Sequence, residues 1–210
     1  MMITKICGIQ NEDTLICCEE NSVDFFGMIF YPKSPRNISI KDAVKLQKKS
    51  EDLNINGVGV FVNKNINELV DIIKRVRLKY VQLHGSENEE YIKTLKKIGI
   101  KVIKSISIYN KYDLKNINNF NSADYYLFDY KPKKGELPGG NAKNFDWEII
   151  KNFTTTKPWF LSGGINIKNI HEILHDINPF GIDLSSGVEK ELGIKDNHII
   201  NNFIDKLKNA

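Results

Sequence analysis

Short apolar runs that stop at small or polar residues recur eight times along this chain of 210 residues, and a helix-length segment follows each one. Near-continuous apolar runs suit parallel strands buried on both faces. The clearest is 56–62, where Val58, Val60 and Val62 fall on one face. Further strands are expected at 3–8, 25–31, 80–84, 101–107, 125–129, 159–162 and 182–185. The clearest helix is 65–77, with Ile66, Leu69, Ile72, Ile73 and Val76 on one face. Other helices are expected at 12–20, 41–49, 87–98, 112–120 (weak and rich in Asn), 145–153, 167–175 and 198–207. Ser39 and Ser86 stand where N-caps belong, Glu89 completes a capping box with Ser86, and Gly99 is placed to end the helix that follows.

Eight strand–helix units in series predict an α/β protein with a parallel sheet and right-handed crossovers. Two architectures remain. A doubly wound open sheet commonly carries its Gly-rich loop after the first strand. Here the Gly-rich segments are Ser162-Gly163-Gly164 and Ser185-Ser186-Gly187, after the last two strands. That is where (β/α)8 barrels often hold a phosphate on backbone N–H groups. The expectation is therefore a (β/α)8 TIM barrel, one domain over 1–210. The segment 131–144, with Pro132, Gly135, Pro138, Gly139 and Gly140, is a candidate lid after strand six.

The formal charge is +4, carried by lysines spread along the chain rather than by a basic cluster with interleaved aromatics. This argues against nucleic acid as a partner. No apolar run approaches the roughly 20 residues of a membrane span. Cys7, Cys17 and Cys18 do not make a disulfide framework, so a reducing cytoplasm is expected. His84, His171, His175 and His198 are too scattered for a zinc site. No metal and no cofactor is expected.

In a closed parallel barrel the carboxyl ends of all strands meet on the catalytic face. Those ends carry Cys7, Arg36, His84, Asp129 and Asp183. Cys7 is either a small buried hydrophobe or a base, and a modest fall from a thiol's usual pKa of about 8.5, supplied by nearby cations, would suit it to the latter. Asp129 is a cap, a salt-bridge partner or a general acid. Arg36 is a surface residue or a fork for a carboxylate or phosphate. His84 is structural or orients a ligand, and Asp183 binds a sugar hydroxyl or braces its loop.

Seven ordered segments carry a family resemblance. They are Lys-Ile-Cys-Gly at 5–8, Gly-Met-Ile-Phe at 27–30 leading to Ser-Pro-Arg at 34–36, and Gly-Val-Phe-Val at 59–62. Val-Gln-Leu-His-Gly at 81–85, Pro-Gly-Gly at 138–140, Leu-Ser-Gly-Gly-Ile at 161–165 and Asp-Leu-Ser-Ser-Gly-Val-Glu at 183–189 complete the set. The chain resembles the phosphoribosylanthranilate isomerases of tryptophan biosynthesis. One departure is Asn141-Ala142, where the family usually has Thr-Gly. The resemblance implies an Amadori rearrangement of N-(5-phosphoribosyl)anthranilate, with Cys7 as general base and Asp129 as general acid. It implies Arg36 on the anthranilate carboxylate; His84 and Asp183, from their strand-end positions, are expected to bind substrate as well. Gly163, Gly164, Ser186 and Gly187 would bind the phosphate. The implied partner is a phosphorylated small molecule, and the chain would act as a monomer or homodimer. A sister isomerase of histidine biosynthesis is a rival, but it would be expected to use an aspartate in place of Cys7.

Overall fold

The computed structural model describes residues 2–131 and 145–209. Eight parallel strands close into a barrel in chain order. They are β1 (Ile3–Cys7), β2 (Phe25–Ile29), β3 (Asn56–Phe61), β4 (Tyr80–Leu83), β5 (Lys101–Ile108), β6 (Tyr125–Tyr130), β7 (Trp159–Leu161) and β8 (Gly181–Leu184). Pairing of β1 with β8 shuts the ring, with Lys5 opposite Asp183. The helices are α1 (Glu12–Glu20), α2 (Ile40–Leu53), α3 (Ile66–Val76), α4 (Glu89–Lys97), α5 (Ile170–Asp176) and α6 (Asn197–Lys208). The expected (β/α)8 architecture is the observed one.

The barrel interior divides along its axis. Phe25, Val58, Ile103, Leu127 and Phe160 fill the lower part as a separate apolar cluster. Above them, towards the carboxyl ends, the inward positions turn polar: Cys7, Gln82, Asp129, Ser162 and Asp183 line a pocket with Val60 and Val62. The valine alternation in β3 thus runs from the core into the pocket wall. A larger cluster between strands and helices forms the outer core, where α3 buries Leu69, Ile72, Ile73 and Val76. Among the described residues no helix is long and apolar enough to cross a membrane.

Several local expectations need correction. Ser86 does not cap α4: the side chain of Asn88 accepts from the Tyr91 N–H, and Ser86 instead donates to Asn63 Oδ1. The Asn-rich segment after β5 is a 3₁₀ helix, Asp113–Asn119, and the expected sixth helix is reduced to a 3₁₀ turn, Trp147–Ile149. Beyond β8 stand a 3₁₀ turn, Ser186–Val188, and a small antiparallel hairpin of β9 (Glu189–Glu191) and β10 (Ile194–Lys195), which the sequence reading lacked. The caps at Ser39 and the stop at Gly99 (φ +81°) are as expected. The candidate lid falls almost wholly on 132–144, outside the described residues.

Candidate active site

Cys7 ends β1 and its thiol lines the pocket at the barrel mouth together with Arg36, His84, Asp129 and Asp183. All five expected strand-end residues therefore meet in one place. Burial pushes the Cys7 thiol up, and the cations Lys5 and Lys195 only partly draw it back. This corrects the expectation that cations would carry it below its ordinary value: in a pocket this enclosed, desolvation outweighs them. The backbone beside it is fixed by Ser185, whose hydroxyl donates to the Cys7 carbonyl at 3.2 Å.

Asp183 sits next to β1 in the closing register, and its Oδ1 accepts from Lys5 Nζ at 2.8 Å. This bond joins β8 to β1 rather than Asp183 to its own loop, and Asp183 also lines the pocket. Lys5 is the member of the cluster that the sequence reading missed. A lysine inside an otherwise apolar strand is the available signal, because a buried ammonium requires a buried acceptor. Burial alone would lower the Lys5 pKa, but Asp183 and Cys7 more than offset it and the ammonium stays charged.

On the far side of the pocket, Asp129 ends the inward row of β6. Its Oδ1 accepts from the Tyr130 N–H at 2.8 Å, and its Oδ2 lies 3.3 Å from His84 Nε2. Gln82 Nε2 is 2.8 Å from His84 Nδ1. With that amide donating to Nδ1, the ring proton sits on Nε2 and faces Asp129. The imidazole N–H thus orients the Asp129 carboxyl group. Gln82 is a second residue the sequence reading passed over.

Arg36 is buried rather than exposed. It closes a fork on Glu189, Nε to Oε1 at 2.6 Å and Nη2 to Oε2 at 2.8 Å. Glu189 also accepts from Lys195 at 2.6 Å and from the Gly193 N–H at 3.1 Å. Burial pushes the Glu189 carboxyl up, but the hydrogen bond from Arg36 and the charge and hydrogen bond of Lys195 hold it down at about 2. The β9–β10 hairpin therefore supplies the anion that locks Arg36 at the pocket wall.

The two Gly-rich loops come together beside this pocket. Gly163 and Gly164 take left-handed conformations, φ +87° and +70°. A side chain at Gly187 would collide with the carbonyl oxygen of Ile165, so only glycine lets the loops approach this closely. The N–H groups of Gly163, Gly164, Ser186 and Gly187 have no protein acceptor among the described residues. Gly164, Ser186 and Gly187 line one cleft, with Lys168 at its side, while Ser162 and Ser185 reach back into the central pocket. Unpaired backbone donors in this arrangement suit an anion.

Fold and site together define a (β/α)8 barrel equipped for acid–base chemistry beside an anion cradle. The family model described as N-(5'phosphoribosyl)anthranilate (PRA) isomerase matches residues 4–206, and the chain belongs to that family. A protein named N-(5'-phosphoribosyl)anthranilate isomerase from Paramagnetospirillum magneticum is 38% identical over 95% of this chain and 94% of its own length. The crystal structure of the phosphoribosyl anthranilate isomerase of Thermotoga maritima is similar over 100% of both chains, with 34% identity and a TM-score of 0.89. Another crystal structure, of a phosphoribosyl anthranilate isomerase in complex with reduced 1-(o-carboxyphenylamino)-1-deoxyribulose 5-phosphate, matches 100% of both chains at 33% identity and a TM-score of 0.85.

Proposed function

We propose that this chain isomerises N-(5-phosphoribosyl)anthranilate to 1-(2-carboxyphenylamino)-1-deoxyribulose 5-phosphate, as its family membership implies. The observation that carries the chemistry is the placing of Cys7 and Asp129 on the walls of one pocket. An aldose-to-ketose shift needs an acid at the ring oxygen and a base at C2′. Asp129, oriented by His84, gives its proton to the ring oxygen as the C1′–O bond breaks, and C1′ becomes an iminium carbon bonded to the anthranilate nitrogen. The Cys7 thiolate then takes the C2′ proton. The electron pair of that C–H bond becomes the C1′–C2′ double bond and neutralises the iminium, giving an enolamine that tautomerises to the ketone. Arg36 holds the anthranilate carboxylate, and Gly163, Gly164, Ser186 and Gly187 hold the phosphate. His84 and Asp183, which line the same pocket, also bind the substrate. No cofactor enters these steps.

We place the chain in the cytoplasm, as one barrel domain in a monomer or homodimer, in keeping with its three unpaired cysteines. Binding and chemistry separate cleanly in a test with the reduced product analogue. Cys7→Ser and Asp129→Asn are expected to bind it nearly as wild type does, while turnover falls by about 10²–10⁴-fold, the usual worth of a positioned acid or base. Loss of analogue binding in step with turnover would make both residues parts of the binding surface instead.

A further inference from the structure

Lys5 places a full charge inside the barrel and takes no part in the proton transfers above. Its side chain is 0% exposed and that of its partner Asp183 is 5% exposed. A buried ion pair of this kind is weak support for stability, because well-packed apolar side chains do as well. Its location suggests another use. Lys5 precedes Cys7 by two positions on β1, so both side chains lie on the inward face. In the register between β1 and its neighbour, Cys7 is opposite Gly27, which places no side chain beside the sulfur. Lys5 thus stands one inward position below Cys7 on the same strand, and Asp183 holds its ammonium at 2.8 Å from the neighbouring strand.

We infer that Lys5 is a positioning residue for the isomerisation: clamped by Asp183, its ammonium stands beneath the Cys7 sulfur and stabilises the thiolate that receives the C2′ proton. This rests on the reading of Cys7 as the base. The other groups around the sulfur are Lys195 on β10, Asp183 on β8, Arg36 from the loop after β2, and His84 and Asp129 across the pocket. Arg36 and Lys195 are both engaged by Glu189, whose negative charge offsets theirs. Among the cations, Lys5 opposes the effect of burial on the thiol most strongly, whereas Asp183 works against the thiolate. The pair therefore has a built-in asymmetry: its two members act on Cys7 with opposite sign.

That asymmetry provides the test. Alkylation of Cys7 by iodoacetamide reports the thiolate, and peptide mass spectrometry separates it from Cys17 and Cys18. In the ligand-free protein, Lys5→Met is expected to slow this alkylation by about tenfold or more near neutrality, the size of effect an adjoining opposite charge has on a titrating group. The inflection of rate against pH moves to higher pH. Asp183→Asn moves it to lower pH. The ascending limb of kcat/KM against pH follows the same displacements. Should Lys5→Met fail to fold, the double variant Lys5→Met/Asp183→Asn leaves no unpaired charge, and its inflection is expected above that of wild type. An unmoved inflection in either Lys5 variant overturns the proposal, as do displacements of the same sign in the two single variants, which a purely structural pair would give. Full turnover by Cys7→Ser would instead remove the base itself, and the role of Lys5 with it.

Discussion

Charges taken out of water account for most of the residue-scale chemistry at this barrel mouth. Each buried cation has a buried anion: Lys5 has Asp183, and Arg36 with Lys195 has Glu189. Glu189 offers a pH test of that rule. Its folded pKa of about 2 lies below its ordinary 4.5, so its contribution is complete above pH 4.5 and is lost as the pH falls from there towards 2. Glu189→Gln removes the carboxylate that Arg36 and Lys195 share and is expected to cost about 3 kcal/mol at neutral pH. Thermal unfolding across pH should show the gap to wild type narrowing below pH 4.5, whereas a constant gap would show that the charge is not what matters. Cys7, Arg36, His84 and Asp129 were readable in the sequence because each stands at or beyond the carboxyl end of a strand whose end is marked by glycine, proline or a change of polarity. Lys5 was not, because the acceptor that makes sense of it lies 178 positions away, across the closure of the barrel.

At the scale of elements, local chemistry was readable where a segment is self-sufficient and misleading where several polar residues compete. The face of α3 is set by its own apolar spacing. The start of α4 offered Ser86, Glu87 and Asn88 as neighbours, and tertiary contacts chose among them. Glu87 is drawn inwards to accept from the N–H groups of Asn63 and Gly85 and from Lys104, Ser86 is taken by Asn63, and Asn88 is left to cap. Asn88→Ala is therefore expected to cost about 1 kcal/mol of stability, the usual worth of an N-cap. Chemical denaturation measures it, and an undisturbed midpoint would show that the cap bond carries nothing. The segment 113–119, with three asparagines, forms a 3₁₀ helix instead of the expected α-helix, in line with the weak helix preference of asparagine. The β9–β10 hairpin is too short to register as alternation, yet it delivers Glu189 to Arg36.

At the scale of the whole molecule, closure in chain order is what turns eight separate strand ends into one site. The lower barrel is packed with Phe25, Leu127 and Phe160, which gives the polar upper layer a rigid floor. The last two strands bring the Gly-rich loops beside the first, so Cys7 on β1 and the unpaired backbone donors after β7 and β8 are spatial neighbours although they stand at opposite ends of the chain. This arrangement makes one claim above the others: the barrel is an acid–base isomerase whose base is a thiol. The direct measurement is the loss of phosphoribosylanthranilate fluorescence on adding purified protein without metal or cofactor, beside the Cys7→Ser variant. Rapid loss with wild type and a slowing of about 10²-fold or more in the variant is the predicted result. Loss no faster than spontaneous hydrolysis with wild type, or equal rates for the two proteins, would contradict it.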